Sequence, residues 1–218
     1  MLADLLARRY SCRGFRGDEV PRKTIVRILE AAQRTPSWCN AQPWAVAIAS
    51  GAATDRLRAA MCRAATAAPA PDIPFPREYR GVYRDRRREC GVQLYESVGV
   101  ARGDDAAAHR QRMENFRFFG APHVAIVSTD EALGPYGILD CGAFVNNFML
   151  AARDEGIAAI AQAALAAYPA VLRVHLNIPE GRLIVCGISF GYEDERHPAN
   201  AFRTRRAPLE DVVTWSDA

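Results

Sequence analysis

The stretch RTPSWCNAQPWAVAIAS, residues 34–50, joins a helix to a strand through a loop of unusual composition. Pro36 ends the helical pattern that precedes it, because proline disfavours helical backbone in the residue before it. The segment WAVAIAS, residues 44–50, is typical of a β-strand. Between them lie a serine, a tryptophan, a cysteine, an asparagine and a glutamine. The loop is therefore either a plain connection or a surface shaped around something that the protein binds.

Helices and strands alternate on both sides of this loop. Residues 18–37 predict a helix with Pro21 in its first turn and one apolar face. That face comprises Ile25, Ile28, Leu29 and Ala32. Further helices are expected over residues 2–9, 53–66, 83–99 and 138–153, strands over 123–129 and 182–192, and a proline-rich loop over 67–81. The helix at 138–153 is apolar nearly all round, which indicates burial in the core. Without an internal repeat or a clear linker, we expect a single domain over residues 1–218.

Composition excludes several classes of function. The formal net charge is only +3, and Lys23 is the sole lysine, so no basic stripe of the kind that binds nucleic acid is present. No apolar run approaches the roughly 18 residues of a membrane span, and the apolar start is too short for a signal peptide. The six cysteines are scattered without a C-x-x-C pair, which disfavours a disulfide framework and a zinc site. We expect a reduced, soluble protein of the cytoplasm, with no metal, nucleic acid or membrane as partner.

Motifs for chemistry borne by protein groups are missing as well. The sequence contains no G-x-G-x-x-G, no Walker pattern, no H-E-x-x-H and no G-x-S-x-G. If the protein is an enzyme, a bound cofactor is then expected to carry the reaction.

One segment suits an anionic cofactor. In RRYSCRGF, residues 8–15, Arg9, Ser11 and Arg13 occupy alternate positions, and alternate residues of an extended chain point to the same side. Two guanidinium groups and a hydroxyl can bind a phosphate. The alternative is a helix end whose arginines complement the helix dipole. A second basic group, FRTRR at residues 202–206, would complete a phosphate clamp, although nothing in the spacing shows that the two groups meet.

Taken together, these motifs resemble the FMN-dependent nitroreductase family nearly from end to end. The family opening corresponds to Arg9, Ser11, Arg13 and Phe15, and the loop P-S-W-C-N-x-Q-P-W, residues 36–44, is similar to the subgroup that acts on nitrobenzoates and related nitroaromatics. The match extends through NFRFFGAPH at 115–123, Gly156, Ile157, Gln162 and the closing N-x-F-R-x-x-R at 200–206. This resemblance implies an α+β fold: a mainly antiparallel central sheet wrapped by helices. It also implies an intertwined homodimer that exchanges C-terminal segments and binds FMN at the subunit interface.

The resemblance further implies which residues bind the cofactor. Arg9 and Arg206 are expected near the phosphate, Arg13 near the N1 and C2 carbonyl edge of the flavin, and the loop of the opposite subunit over it. Backbone N–H groups around Gln162 are expected to reach the flavin, including N5. The complete set is Arg9, Tyr10, Ser11, Arg13, Pro36, Ser37, Trp38, Asn40, Asn115, Gln162, Ala163, Ala164, Arg203 and Arg206. No catalytic protein residue is implied, because the flavin bears the chemistry.

The mechanism implied is a two-step ping-pong hydride relay from NADH or NADPH, through FMN, to a small aromatic acceptor such as a nitrobenzoate. The alternatives are a reductase of the same fold for quinones, enones or dehalogenation, and a non-catalytic protein that stores FMN. Arg77, Arg80 and Arg84 would suit acceptors with a carboxylate. Among the remaining candidates, Cys12 and Cys39 are interpreted as small buried hydrophobic residues, and Trp44 and His123 as core residues. Trp38 is left open between the core and the cofactor.

Overall fold

The computed structural model of the chain describes residues 1–216, which contain seven α-helices and four β-strands. In chain order these are α1 (Leu2–Arg8), α2 (Arg22–Ala32), β1 (Ala45–Ser50), α3 (Ala52–Ala64), α4 (Gly81–Ser97), α5 (Asp105–Met113), β2 (His123–Asp130), α6 (Gly134–Asp154), β3 (Ala158–Gln162), α7 (Pro169–Leu176) and β4 (Arg182–Gly191). Every helix and strand expected from the sequence is present. The α5, β3 and α7 segments were not anticipated.

The four strands form one sheet in the order β1-β2-β4-β3, and all three pairings are antiparallel. β2 and β4 lie in the centre, and β2 is buried from His123 to Thr129. A strand covered on both faces carries apolar side chains at successive positions, which explains the apolar runs read in these two segments. The predicted α+β fold with an antiparallel sheet is thus confirmed, and β1 and β3 are the edge strands.

Two helical layers enclose the sheet. Successive residues of β2 point to opposite faces: Val124 and Ile126 join one apolar cluster, and Ala125 and Val127 join the other. The first cluster includes Leu57 and Met61 of α3 and Leu172 of α7. The second includes Ile25 and Ile28 of α2 and Cys141, Phe144 and Phe148 of α6.

The long helix α6 is buried on one side only, which corrects the expectation of a fully buried core helix. Cys141, Phe144 and Phe148 face the sheet and are at most 1% exposed. On the opposite side, Tyr136 and Leu139 are 55% and 66% exposed. Within residues 1–216, nothing covers this second apolar face. No helix within residues 1–216 is both long and apolar enough to span a membrane.

The proline-rich segment before α4 is irregular, as predicted, but it is fastened to the sheet. Both carboxylate oxygens of Asp72 accept hydrogen bonds from the guanidinium of Arg173, at 3.2 and 2.9 Å, and one also accepts the N–H of Ile184 at 2.8 Å. The Arg173 and Asp72 side chains are 10% and 14% exposed. This nearly buried ion pair holds the proline-rich segment in place.

Candidate functional site

The structure brings the two arginine motifs into one cavity, although they lie nearly 200 residues apart in the sequence. The cavity has a volume of about 310 Å³. Six of the predicted site residues line it: Arg9, Tyr10, Ser11, Arg13, Arg203 and Arg206. We call this the arginine cavity.

Its N-terminal half follows from the end of α1. Arg9 has extended backbone (φ −72°, ψ 130°), and the chain then runs beside the edge strand β3. Ser11 forms a parallel bridge with Ala159, whose carbonyl accepts the N–H of Cys12 at 3.3 Å. Alternate residues in this stretch separate as predicted: Arg9, Ser11 and Arg13 line the cavity, whereas Cys12 is fully buried behind it.

Its C-terminal half is attached through Asn200, a residue whose role the sequence did not reveal. The Asn200 side chain is 5% exposed, accepts the Arg13 N–H at 2.7 Å, and donates to the carbonyls of Gly14 and Asp194, both at 2.9 Å. The Asn200 carbonyl accepts Nη1 of Arg203 at 2.7 Å. One residue therefore contacts both halves of the cavity.

Gly14 makes this attachment possible. A Cβ at position 14 would lie 2.2 Å from Cγ of His197, which is far inside van der Waals contact. The C-terminal turn packs directly against the glycine backbone, and a side chain there would force the two halves of the cavity apart.

The electrostatics of the cavity favour an anion. Burial and the nearby charge of Arg206 lower the pKa of Arg9, and burial lowers the pKa of Arg13. Within residues 1–216, no aspartate or glutamate lines the cavity. Positive charges held together without a carboxylate gain stability when an anion enters between them.

Tyr10 supports the cavity rather than presenting its hydroxyl to it. Arg203 lies over the Tyr10 ring at 3.6 Å from its centroid, and the Tyr10 hydroxyl donates to Oε2 of Glu193 at 2.7 Å. Burial and this hydrogen bond raise the pKa of Tyr10, so the phenol stays protonated. Arg153 of α6 pairs with the same carboxylate at 3.2 Å.

Asn115 and Gln162 meet at the far end of β3. Gln162 is buried; its Nε2 donates to the Asn115 carbonyl at 2.9 Å, and its Oε1 accepts from Ser189. The Gln162 side chain is thus occupied within the protein. Beyond it, Ala163 is exposed at the start of a short 3-10 turn (Ala163–Ala167), next to the partly exposed Ala164, and the first N–H groups of such a turn lack partners within it.

This pair lies along the same edge strand as the arginine cavity. Gln162 follows Ala159, the partner of Ser11, by three residues, or about 10 Å of strand. An elongated ligand along β3 could contact both places.

The remaining predicted residues, Pro36, Ser37, Trp38 and Asn40, lie in residues 36–44, which we call the tryptophan loop. The N–H of Trp38 donates to Oδ2 of Asp140 at 3.1 Å, and the ring centroids of Trp38 and Tyr136 are 4.3 Å apart. Oγ of Ser37 accepts the N–H of Gln42 at 2.9 Å. Trp38 is nevertheless 59% exposed.

The backbone of this loop is unusual. Cys39, Asn40 and Gln42 have φ values of 50°, 56° and 47°, in the left-handed region that residues other than glycine rarely adopt. Such conformations persist where surrounding contacts impose them, and they cluster at functional sites. Here Arg182 adds a further contact by donating to the Pro43 carbonyl at 2.8 Å.

Within one chain the tryptophan loop does not reach the arginine cavity. The loop contacts Tyr136 and Asp140 near the start of α6, whereas the cavity is braced through Glu193 to Arg153 near its end. From Asp140 to Arg153 is 13 residues of helix, about 20 Å. The arginine cavity and the tryptophan loop thus lie towards opposite ends of α6, and the Gln162 group lies along β3.

The structure tests the burial expected for Trp44, His123, Cys12 and Cys39. Trp44 is 8% exposed and stacks on Phe144, and His123 is buried with its Nε2 accepting the Val20 N–H at 2.9 Å; both core assignments are confirmed. Cys12 is buried as expected. The same interpretation of Cys39 is wrong, because the left-handed turn places Cys39 on the exposed side of the loop.

The basic residues before α4 lie away from the cavity. Arg77 and Arg80 line an open depression with Glu78 and Tyr83, and Arg80 pairs with Glu78. In the part of the chain that the structure describes, no cluster of three or more metal-ligating side chains occurs.

Known proteins resemble this chain over nearly its whole length. A family model described as "Nitroreductase family" matches residues 6–192. The chain is 38% identical to nitroreductase NfnB of Mycolicibacterium smegmatis over 215 residues, 97% of this chain and 91% of that protein. It is 33% identical to a 4-nitrobenzoate reductase of Nocardioides sp. over 217 residues, 96% of this chain and 88% of that one.

A solved structure agrees with the fold. The FMN-dependent nitroreductase NfnB from Mycobacterium smegmatis, crystallised in complex with NADPH, superposes with a TM-score of 0.93 at 36% identity. The superposition covers 100% of both chains. The superposed length therefore includes the segments that contain the arginine cavity and the tryptophan loop.

Proposed function

The chain belongs to the nitroreductase family, and from this membership we propose that it is an FMN-dependent NAD(P)H oxidoreductase that reduces nitroaromatic compounds. The observation that carries the proposal is the arginine cavity. Four arginines line it without a carboxylate among the described residues, so it suits the phosphate of a bound cofactor.

The residues present fit FMN. Arg9 and Arg206, whose charges lie close enough to depress the pKa of Arg9, would hold the phosphate. Arg13 would face the polar edge of the flavin ring, and backbone N–H groups at Ala163 and Ala164 would approach it from the end of β3. The neutral sides of the cavity, such as Leu6 and Phe202, would cover apolar parts of the cofactor.

When bound, FMN supplies hydride transfer, accepting two electrons from NADH or NADPH and passing them to the acceptor in a ping-pong cycle. The chain itself holds and tunes the cofactor. A partly buried guanidinium at Arg13 would favour negative charge nearby and therefore favour reduction. Within the arginine cavity the Tyr10 phenol remains protonated, and Cys12, whose pKa burial raises to about 11, remains a thiol near neutral pH.

We further propose a homodimer in which the tryptophan loop covers the flavin of the partner subunit. The loop lies at the other end of α6 from its own arginine cavity, so contact with a flavin requires a second chain. The exposed faces of Tyr136 and Leu139 offer an apolar surface for that chain. Leu209, Val212 and Trp215, which are 62%, 63% and 75% exposed, make the C-terminal segment suited to exchange between subunits.

The substrate class proposed is a small nitroaromatic compound, with nitrobenzoates as the first choice. The support is the P-S-W-C-N-x-Q-P-W loop and the relative that reduces 4-nitrobenzoate. We also propose that the chain is one domain, because all four strands share one sheet and both apolar clusters pack on it.

A visible spectrum of the purified protein tests the cofactor. A flavin spectrum that is bleached by NADPH or NADH without oxygen, and restored by 4-nitrobenzoate, is the expected result. A colourless protein that binds no added FMN would contradict the proposal. A flavin spectrum that no nicotinamide bleaches would indicate FMN storage, and restoration by quinones alone would move the substrate class to another acceptor.

A further inference from the structure

A second cavity lies next to the arginine cavity and is not needed to hold a flavin phosphate. It has a volume of about 760 Å³ and runs between α4 and the C-terminal segment. Cys90, Thr204 and Arg206 line both cavities, so the two are continuous. We call this larger cavity the α4 groove.

An exposed ion pair orients one cation of the α4 groove. Glu89 Oε1 accepts a hydrogen bond from Nε of Arg205 at 2.9 Å, and Nη2 of Arg205 lies 2.8 Å from the same oxygen. An arginine carries five N–H donors, so this pairing orients the guanidinium and leaves donors free. Arg86 precedes Glu89 by three residues on the same face of α4 and also lines the groove.

The rest of the lining suits a nucleoside. Gln93 lies one turn beyond Glu89, and within residues 1–216 its buried Oε1 has no hydrogen-bond donor. An amino group or hydroxyl of a ligand would satisfy this oxygen once the amide turns towards the groove. Ala207 and Pro208 provide apolar contact for a flat ring, and Arg86 and Arg205 are the cations left for a phosphate.

We infer that the α4 groove binds the adenosine end of NADPH and that Arg86 and Arg205 hold its 2′-phosphate. This inference rests on the proposed function, which requires a nicotinamide dinucleotide to approach the flavin. A dinucleotide whose nicotinamide lies against the flavin extends beyond the flavin ring. The α4 groove is the adjoining space, and its arginines have N–H donors left for a phosphate. NADH lacks the 2′-phosphate, so these two arginines select NADPH.

Equilibrium binding tests the site without turnover. Adenosine 2′,5′-bisphosphate and adenosine 5′-monophosphate are titrated into the FMN-saturated protein by calorimetry. The expected result is binding of the bisphosphate at least tenfold tighter than the monophosphate. Arg205→Ala should weaken the bisphosphate about tenfold or more and Arg86→Ala somewhat less, because hydrogen bonds to charged groups are the strong ones. Neither should alter the monophosphate. Arg56→Ala, an exposed arginine of α3 outside both cavities, is the matched control.

Steady-state kinetics give the second measurement. Arg205→Ala should raise the KM for NADPH about tenfold, leave the KM for NADH unchanged, and leave the affinity for FMN unchanged. Equal effects on NADPH and NADH, or a parallel loss of FMN, would overturn the inference; the latter would assign the α4 groove to the flavin. If wild-type protein binds FMN and oxidises both nicotinamides with equal KM, the proposed function stands and the 2′-phosphate site falls.

Discussion

The arginine cavity and the tryptophan loop hold the predicted site residues in opposite ways. In the cavity, Asn200 uses its whole side chain to join two parts of one chain, and Cys12 and Gly14 are buried behind the arginines. In the loop, contacts from Asp140 and Arg182 fix the backbone, yet Trp38 remains mostly exposed. The cavity is completed by its own chain.

The proposed dimer gives the tryptophan loop a role outside its own chain. Three left-handed residues in four positions cost roughly 1 kcal/mol each, and the loop gains little burial of its own in return. Folding alone gives no reason to retain such a loop, whereas the proposed contact with the partner's cofactor would give one. The comparison therefore predicts that substitutions in the cavity reduce stability and cofactor affinity together, and that changes in the loop affect function without affecting stability.

The largest effect is expected from Asn200→Ala in the cavity. This change removes the acceptor of the Arg13 N–H and one donor to each of the carbonyls of Gly14 and Asp194, which keep the backbone N–H groups of Asp194 and His197. Buried polar groups that lose a partner cost 1–3 kcal/mol each, and partial access to water reduces the total, so we expect the free energy of unfolding to fall by about 3 kcal/mol. Chemical denaturation of the FMN-free protein measures it.

Asn147→Ala is the control for that measurement. Asn147 is a partly buried asparagine of α6 whose Nδ2 donates a single hydrogen bond to Thr35 at 2.7 Å. Its loss should cost about 1 kcal/mol. Equal losses for the two variants would show that Asn200 does not join the halves of the cavity, and the contrast with the loop would weaken.

The next largest effect is expected from the arginines that would hold the phosphate. Arg9→Ala and Arg206→Ala should each weaken FMN binding about 10- to 100-fold, because each removes a charge-assisted contact worth about 1.5–3 kcal/mol. The measurement is fluorescence titration of FMN at two salt concentrations. Wild-type affinity should fall with salt and that of the variants less steeply, since fewer charges remain to be screened. Arg63→Ala, an exposed arginine of α3, should match the wild type.

Much of the cavity could be predicted from local pattern. The alternation of Arg9, Ser11 and Arg13 required only that the chain be extended there, and the end of α1 at Arg8 ensures it. The meeting of Arg9 with Arg206 could not be read from spacing, because it depends on a turn that packs on Gly14. The role of Asn200 could not be read for the same reason. Its side chain bonds to backbone groups of Arg13, Gly14 and Asp194, and backbone groups leave no signal in the sequence.

The strand beside the cavity shows a different limit. β3 has the sequence AAIAQ, whose alanines favour no strand, and its structure comes from pairing with β4 from Ala158 to Gln162. For α6 the apolar pattern predicted burial on all sides, whereas the described chain covers only the side that faces the sheet. Local sequence thus determined most of the elements, and long-range pairing determined β3 and which residues meet.

A smaller effect should follow from Arg13→Ala, which tests tuning rather than binding. Removing a partly buried cation from the proposed flavin edge would disfavour the added negative charge of reduction, so the midpoint potential should become more negative. An interaction of 1.4 kcal/mol corresponds to about 30 mV for two electrons. Dye-coupled reductive titration measures the potential. Arg13→Lys, which keeps the charge, should recover most of the shift; an unchanged potential in Arg13→Ala would remove Arg13 from the flavin edge.

The smallest energetic effect, and the sharpest contrast between the two regions, concerns their cysteines. Cys39 in the tryptophan loop is exposed, whereas Cys12 behind the arginine cavity is buried and its Sγ donates to the Gly14 carbonyl at 3.2 Å. Burial raises the pKa of Cys12 from 9.0 to about 11. Because the folded state favours the thiol over the thiolate, Cys12 contributes to the free energy of unfolding below pH 9. This contribution is lost as the pH rises towards 11.

Iodoacetamide labelling at pH 8, mapped by mass spectrometry, reads both sites at once. In FMN-free protein, Cys39 should react rapidly and Cys12 slowly, since only an accessible thiolate attacks. Saturation with FMN should slow the labelling of Cys39 if the loop covers the partner's flavin, and Cys39→Ala should leave turnover within about twofold because its thiol takes no part in hydride transfer. Labelling of Cys39 that is indifferent to FMN and to protein concentration would separate the loop from the cofactor, and its strained backbone would then need another explanation.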